Sequence, residues 1–114
     1  PILVPMIETR TGIENAIEIA SLDCVDALFF GPYDLSADLG TPGDFTTDAF
    51  LEARGKIKHA ADQAGKPVGG HQVEPSGQDL GRMIDDGFRL IAYGTDVVAL
   101  RTAMSSFTAG LPRP

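Results

Sequence analysis

Apolar residues gather in four short runs, at 2–7 (ILVPMI), 25–30 (VDALFF), 67–70 (PVGG) and 88–93 (FRLIAY), and each is followed by a stretch with helical spacing. Runs of this length, bounded by turn-forming residues, predict buried strands. Behind the first run, Thr11 and Glu14 make a T-x-x-E capping box, and Ile13, Ala16, Ile17 and Ala20 recur at helical spacing. A longer helix is predicted over 47–64, with a narrow face of Ala49, Ala53, Ile57, Ala60 and Ala64; Gly65 and Pro67 stop it. A short helix over 76–86 takes Ser76 as N-cap and buries Leu80, Met83 and Ile84, with Gly87 behind it. The last begins near Thr95 and turns Val97, Leu100, Met104 and Phe107 inward, and the tail at 110–114 terminates it. The segment 41–45, TPGDF, is the one loop with room to move.

Strand and helix therefore alternate four times. Short links between alternating elements imply a parallel α/β sheet with right-handed crossovers. Four βα units make half of a TIM (β/α)8 barrel, or a small open sheet of the flavodoxin type. A flavodoxin-like domain wants a fifth strand, and nothing after Phe107 supplies one, which favours the half-barrel. The 114 residues read as one partial domain without repeats or low-complexity tracts. The chain opens on Pro1, inside an apolar run and without a methionine, so the expectation is a fragment.

Composition narrows the partners. Net charge is −7 with no basic cluster, which argues against nucleic acid and against anionic membranes. No apolar run reaches the ~18 residues of a membrane span. The single cysteine, Cys24, cannot form an internal disulfide, in keeping with a cytoplasmic location. A Schiff-base enzyme needs an amine at the barrel mouth, whereas Lys56 and Lys58 lie on a helix and Lys66 precedes its strand. Neither a G-x-S-x-G elbow nor a phosphate-cradling G-x-x-x-x-G-K is present. Gly94-Thr95-Asp96 opens the last helix where many barrels hold phosphate, but Asp96 repels an anion there.

Two carboxylates remain as candidates. Glu8 ends the first apolar run, on the face shared by Val4 and Met6, and Asp34 follows the second run within 31–40, GPYDLSADLG. Tips of neighbouring strands lie ~4.8 Å apart, so two such acids can share one divalent cation with waters and substrate oxygens. The same acids equally suit solvated loops, with Asp34 in an Asx-turn. Gly31-Pro32-Tyr33-Asp34 reads as a β-turn, or as a nest of N–H groups for a carboxylate or enolate oxygen. His71, past Gly70 at the third strand tip, faces the same mouth, where a lone histidine is more often a supporting group than a ligand. His59 sits mid-helix beside Lys58 and is expected in solvent.

At PMIET and GPYDLSADLG, and again through AGKPVGGHQVEP and GFRLIAYGTD, the sequence resembles the HpcH/HpaI aldolases, metal-dependent class II pyruvate aldolases of the phosphoenolpyruvate/pyruvate barrel superfamily. The likeness covers nearly all of this chain but only the C-terminal half of a family member. It implies that Glu8 and Asp34 are the metal ligands, for Mg²⁺, Mn²⁺ or Co²⁺. It also implies that the N–H groups of Tyr33 and Asp34, in the Gly31-Pro32 turn, hold the pyruvate carboxylate. Met6 stands where the family commonly has glutamine, which puts one substrate hydrogen bond in question. The catalytic histidine and the transition-state arginine belong to an N-terminal half-barrel. The reaction implied is reversible cleavage of a 4-hydroxy-2-oxo acid to an aldehyde and pyruvate, through the pyruvate enolate, in a homo-oligomer. A citrate-lyase β-type acyl-CoA lyase and a non-catalytic half-barrel module for binding or assembly are the alternatives.

Overall fold

The computed structural model describes residues 1–109 of the 114, so the tail at 110–114 lies outside the described residues. Four strands, β1 (Met6–Ile7), β2 (Leu28–Phe30), β3 (Val68–Gln72) and β4 (Leu90–Tyr93), form one parallel sheet in the order β1-β2-β3-β4. Between and after them come α1 (Arg10–Glu14), α2 (Ala16–Ser21), α3 (Pro32–Asp38), α4 (Asp48–Gln63), α5 (Gly77–Asp85) and α6 (Asp96–Phe107). Sequential order without a switch point is that of successive βα units in a (β/α)8 barrel, not of a doubly wound sheet.

Register fixes two rows of side chains. Ile7, Phe30, Gly70 and Ile91 are level across the sheet, as are Met6, Phe29, Gly69 and Leu90. The first row faces the helices: Ile7 and Phe30 are buried, with Leu28, Val68 and Phe88 beside them in the core. The second row is open, and Met6 is 53% exposed. In a closed barrel this row fills the interior.

The first two strands are shorter than their apolar runs. Pro5 has no N–H for a ladder, although its carbonyl still accepts from Phe29 N, and the Asp26 carboxylate accepts from Leu3 N outside the sheet. β3 runs two residues past the predicted end, so His71 is a strand residue.

Several helix expectations need correction. The first helix is capped by Thr9, whose hydroxyl accepts from Gly12 N at 3.0 Å; Thr11 lies inside it, and there is no Thr11–Glu14 box. That helix also breaks at Asn15, whose side-chain amide donates to Thr11 O, and Ile17 on α2 is exposed. α4 starts where predicted, with Thr47 as its N-cap accepting from Phe50 N. Its buried face, however, is Phe50, Ala53, Ile57, Ala60 and Ala61; Ala49 is exposed. Phe50 turns inward because Phe30 and Phe45 meet its ring at 5.5 and 5.1 Å. On α5, Ser76 caps as expected but Ile84 is exposed. On α6, Thr95 is the cap, yet Val97, Leu100, Met104 and Phe107 all face solvent. A barrel helix lies in the groove between its own strand and the next, and among the described residues no strand follows β4.

Close approach demands a glycine at 69. A Cβ there meets Phe29 Cδ2 at 2.7 Å and the backbone oxygen of Leu90 at 2.8 Å. Gly69→Ala is therefore expected to destabilise the fold by ~1–3 kcal/mol, as overpacking does. Urea unfolding of the full-length protein checks this; an unchanged midpoint means that β3 and β4 can spread freely.

Candidate active site

The strand order brings the ends of β1 and β2 side by side. Ile7 is level with Phe30, and Gly31 N donates to Ile7 O at 3.2 Å, so Glu8 stands opposite Gly31. The approach is close: a Cβ on Gly31 meets Glu8 Cβ at 2.9 Å, Glu8 Oε2 at 3.0 Å and Met6 Sδ at 3.1 Å. Only a residue without a side chain lets the Glu8 carboxylate lie across the tip of β2.

Gly31-Pro32-Tyr33-Asp34 is not a plain β-turn. Gly31 is the N-cap of α3, Pro32 is its first residue and Asp34 lies in its first turn. Proline suits that position because its ring presets φ and its missing N–H has no intrahelical acceptor anyway. Leu35 N bonds back to Gly31 O, while the N–H groups of Tyr33 and Asp34 have no acceptor among the described residues. The nest of the sequence reading is thus the first turn of a helix.

The two tips are tied together. Arg10 N donates to Asp38 Oδ2 at 2.7 Å and Arg10 Nε to Asp38 O at 3.1 Å, linking the segment after Glu8 to the end of α3. The loop behind α3 is pinned as well. Ser36 Oγ accepts from Gly43 N at 2.9 Å, and Thr41 N donates to Ser36 O at 2.9 Å. Asp44 accepts from both the hydroxyl and the N–H of Thr46, which hold its carboxyl below the usual range. The Phe45 ring meets Tyr33 edge-on at 5.1 Å. The segment 41–45 is therefore fastened at both ends.

The remaining candidates fall into place around this pair. Met6 sits beside Glu8 on the open row, a thioether in contact distance of the Gly31 position and no donor. His71 shares that row's side of β3, where its Nε2–H donates to Gly94 O at 3.1 Å, fastening β3 to the turn before α6. His59 is exposed. A cavity of about 410 Å³ opens between α4 and α5, lined in part by Phe30, Tyr33, Phe45, Phe50 and Phe88. Neither Glu8 nor Asp34 lines it, whereas Pro32, Tyr33 and His71 do.

The donor set suits a hard divalent cation that keeps several waters, since Mg²⁺ typically takes one or two carboxylates and leaves the other positions to water or substrate. Neither the Glu8 nor the Asp34 carboxylate has a hydrogen-bonded or ion-pair partner among the described residues, so both are free to bind. No group of three His, Cys, Asp or Glu side chains able to hold a metal occurs among the described residues, so this chain would supply Glu8 and Asp34 alone. Sequence reasoning missed the Arg10–Asp38 and Ser36–Gly43 ties. It also missed α3, whose signals were Pro32 at the first position and Leu35 and Leu39 one turn apart.

The sequence model for "HpcH/HpaI aldolase/citrate lyase" matches residues 2–103. The chain belongs to the HpcH/HpaI aldolase/citrate lyase family. A hydroxypyruvate/pyruvate aldolase of Delftia acidovorans is 40% identical over 101 residues, which are 89% of this chain and 37% of that protein. A 5-keto-4-deoxy-D-glucarate aldolase of Klebsiella pneumoniae is 34% identical over 101 residues, 89% of this chain and 39% of that protein. The chain thus spans under half the length of these relatives. Among solved structures, an HpcH/HpaI aldolase/citrate lyase family protein from Burkholderia cenocepacia superposes with a TM-score of 0.85 at 30% identity, over 93% of this chain and 40% of its own. Citrate lyase β subunit from M. tuberculosis, complexed with oxaloacetate and magnesium, shares the fold, with a TM-score of 0.69 at 20% identity over 85% of this chain and 48% of its own. Among the described residues no helix is long and apolar enough to cross a membrane.

Proposed function

We propose that this chain is the C-terminal half of a (β/α)8-barrel aldolase that is divalent-metal dependent, and that it forms and cleaves 4-hydroxy-2-oxo acids through a pyruvate enolate. The observation that carries the reading is the Glu8 carboxylate lying across Gly31 at the tip of β2, one helical turn from Asp34. Relatives named as hydroxypyruvate/pyruvate and keto-deoxy-glucarate aldolases support the substrate class.

In this reading Glu8 and Asp34 hold Mg²⁺, Mn²⁺ or Co²⁺, and the bound cation supplies Lewis-acid stabilisation of the enolate. The N–H groups of Tyr33 and Asp34 receive the carboxylate of the 2-oxo acid, with Gly31 and Pro32 setting the turn that aims them. Met6 borders the substrate without a hydrogen bond. His71 borders it too, held by Gly94 O, and serves as a wall. The acid–base group and the arginine for the transition state come from the N-terminal half-barrel, and the whole enzyme works as a homo-oligomer in the cytoplasm.

The test is proton exchange at the pyruvate methyl group in D₂O, followed by ¹H NMR with the full-length protein. Loss of the methyl signal is expected with Mn²⁺ or Mg²⁺ and not after chelation. No exchange in the presence of metal removes the aldolase reading and leaves a binding or assembly module.

A further inference from the structure

We propose that Ser36 is a positioning residue for the 2-oxo acid, fixing the Tyr33–Asp34 peptide so that its N–H stays aimed at the substrate carboxylate. This rests on the reading of the Asp34 turn given above. Ser36 is 0% exposed, and its hydroxyl makes two hydrogen bonds: it donates to Tyr33 O at 2.8 Å and accepts from Gly43 N at 2.9 Å. Serines in helices often donate to a carbonyl one turn back. Here the Gly43 N–H also occupies the hydroxyl oxygen, so the rotor has one orientation and the proton is committed to Tyr33 O.

Tyr33 C=O and Asp34 N–H are opposite ends of one planar peptide unit, and no cis bond occurs in the described chain. Holding the oxygen from inside the fold sets the direction of the N–H on the other side. Donation to the carbonyl also polarises the amide and strengthens that N–H as a donor. Nothing else described bonds to this carbonyl from a side chain. The loop that orients the hydroxyl is itself held, through Thr41 N to Ser36 O and through the Phe45 ring against Tyr33. A buried serine thus links the packed loop to the one peptide that both carries the Asp34 carboxylate and faces the substrate.

The experiment compares Ser36→Ala, Ser36→Cys and Asp34→Ala in the full-length enzyme, by Mn²⁺ titration and by steady-state kinetics of pyruvate addition to an aldehyde. Both Ser36 variants are expected to raise KM for pyruvate about tenfold, the worth of one well-aimed hydrogen bond, with kcat, the aldehyde KM and Mn²⁺ affinity within about twofold. Cysteine keeps the side chain's shape while its thiol donates only weakly, so it carries the test if the alanine variant folds poorly. A serine that merely holds the fold would lower the melting temperature and leave KM for pyruvate unchanged well below it; that result overturns the proposal. Mn²⁺ binding that survives Asp34→Ala overturns the metal reading instead, and this proposal with it.

Discussion

Asp34→Ala is expected to abolish Mn²⁺ binding in the full-length protein, and Glu8→Ala to do the same. In the proposed centre Glu8 and Asp34 are the two ligands that this chain contributes, and among the described residues no group of three His, Cys, Asp or Glu is placed to hold a metal. A residue that only supports a metal ligand costs ~10–100-fold in affinity or activity when replaced. Losing half of a two-ligand set must cost more, so turnover is expected to fall by well over ~10²-fold. Asparagine is the sharper variant at 34, since it keeps the shape and one oxygen but removes the charge that draws a dication. Asp62→Ala, an exposed acid near the far end of α4, is the control and should leave the titration unchanged. Electron paramagnetic resonance of free Mn²⁺ reads all four proteins directly. Unchanged affinity in both the Asp34 and Glu8 variants would show that the cation, if any, is held elsewhere.

The placement of the candidate site was legible from sequence to the extent that it depends on position along a strand. Glu8 and Asp34 each follow an apolar run, and parallel pairing of consecutive strands puts both at one edge; the register of Ile7 with Phe30 accords with that inference. The cap was legible at Ser76, and the starts of the helices at Thr47 and Thr95, whose hydroxyls are the caps there. Thr9 was not, because Thr11 and Glu14 offered a competing box and the choice depends on where β1 ends. α3 was hidden behind its own Gly-Pro, which serves a turn and a helix start equally well. The ties that hold the site together carry no local signal. Arg10 and Asp38 are 28 positions apart, and their pairing exists only because β1 and β2 are neighbours. Periodicity also misjudged α6. An apolar stripe says which face wants burial and not whether a surface is there to bury it, and among the described residues none is.

That unburied surface governs the behaviour of the 114-residue chain by itself. It is expected to self-associate and to show no useful aldolase turnover. Val97, Leu100, Met104 and Phe107 on α6, Met6 and Leu90 on the open row, and Ile2 and Leu3 ahead of β1 are all exposed large apolar side chains. β1 and β4 are sheet edges with unpaired backbone groups, a template for pairing with another chain. Burying one large apolar side chain is worth ~1.5–3 kcal/mol, so the four on α6 alone could return on the order of 10 kcal/mol. Association costs ~4–15 kcal/mol in lost freedom, and the remaining exposed residues tip that balance toward a complex. Catalysis fails for a separate reason. Among the described residues the open row offers Glu8 and His71 near the mouth, and His71 is already committed to Gly94 O. On the proposed reading the general base and the arginine belong to an N-terminal half-barrel, and lacking one positioned general base costs ~10²–10⁴-fold. The mass of the purified chain by light scattering, and its cleavage of a 4-hydroxy-2-oxo acid with Mg²⁺, Mn²⁺ or Co²⁺, decide both points. Adding an N-terminal half-barrel should restore a single defined species and its activity together. A monomer that turns over at ~1 s⁻¹ or faster, the ordinary range for an enzyme, would mean that the acid–base group lies within these 114 residues after all.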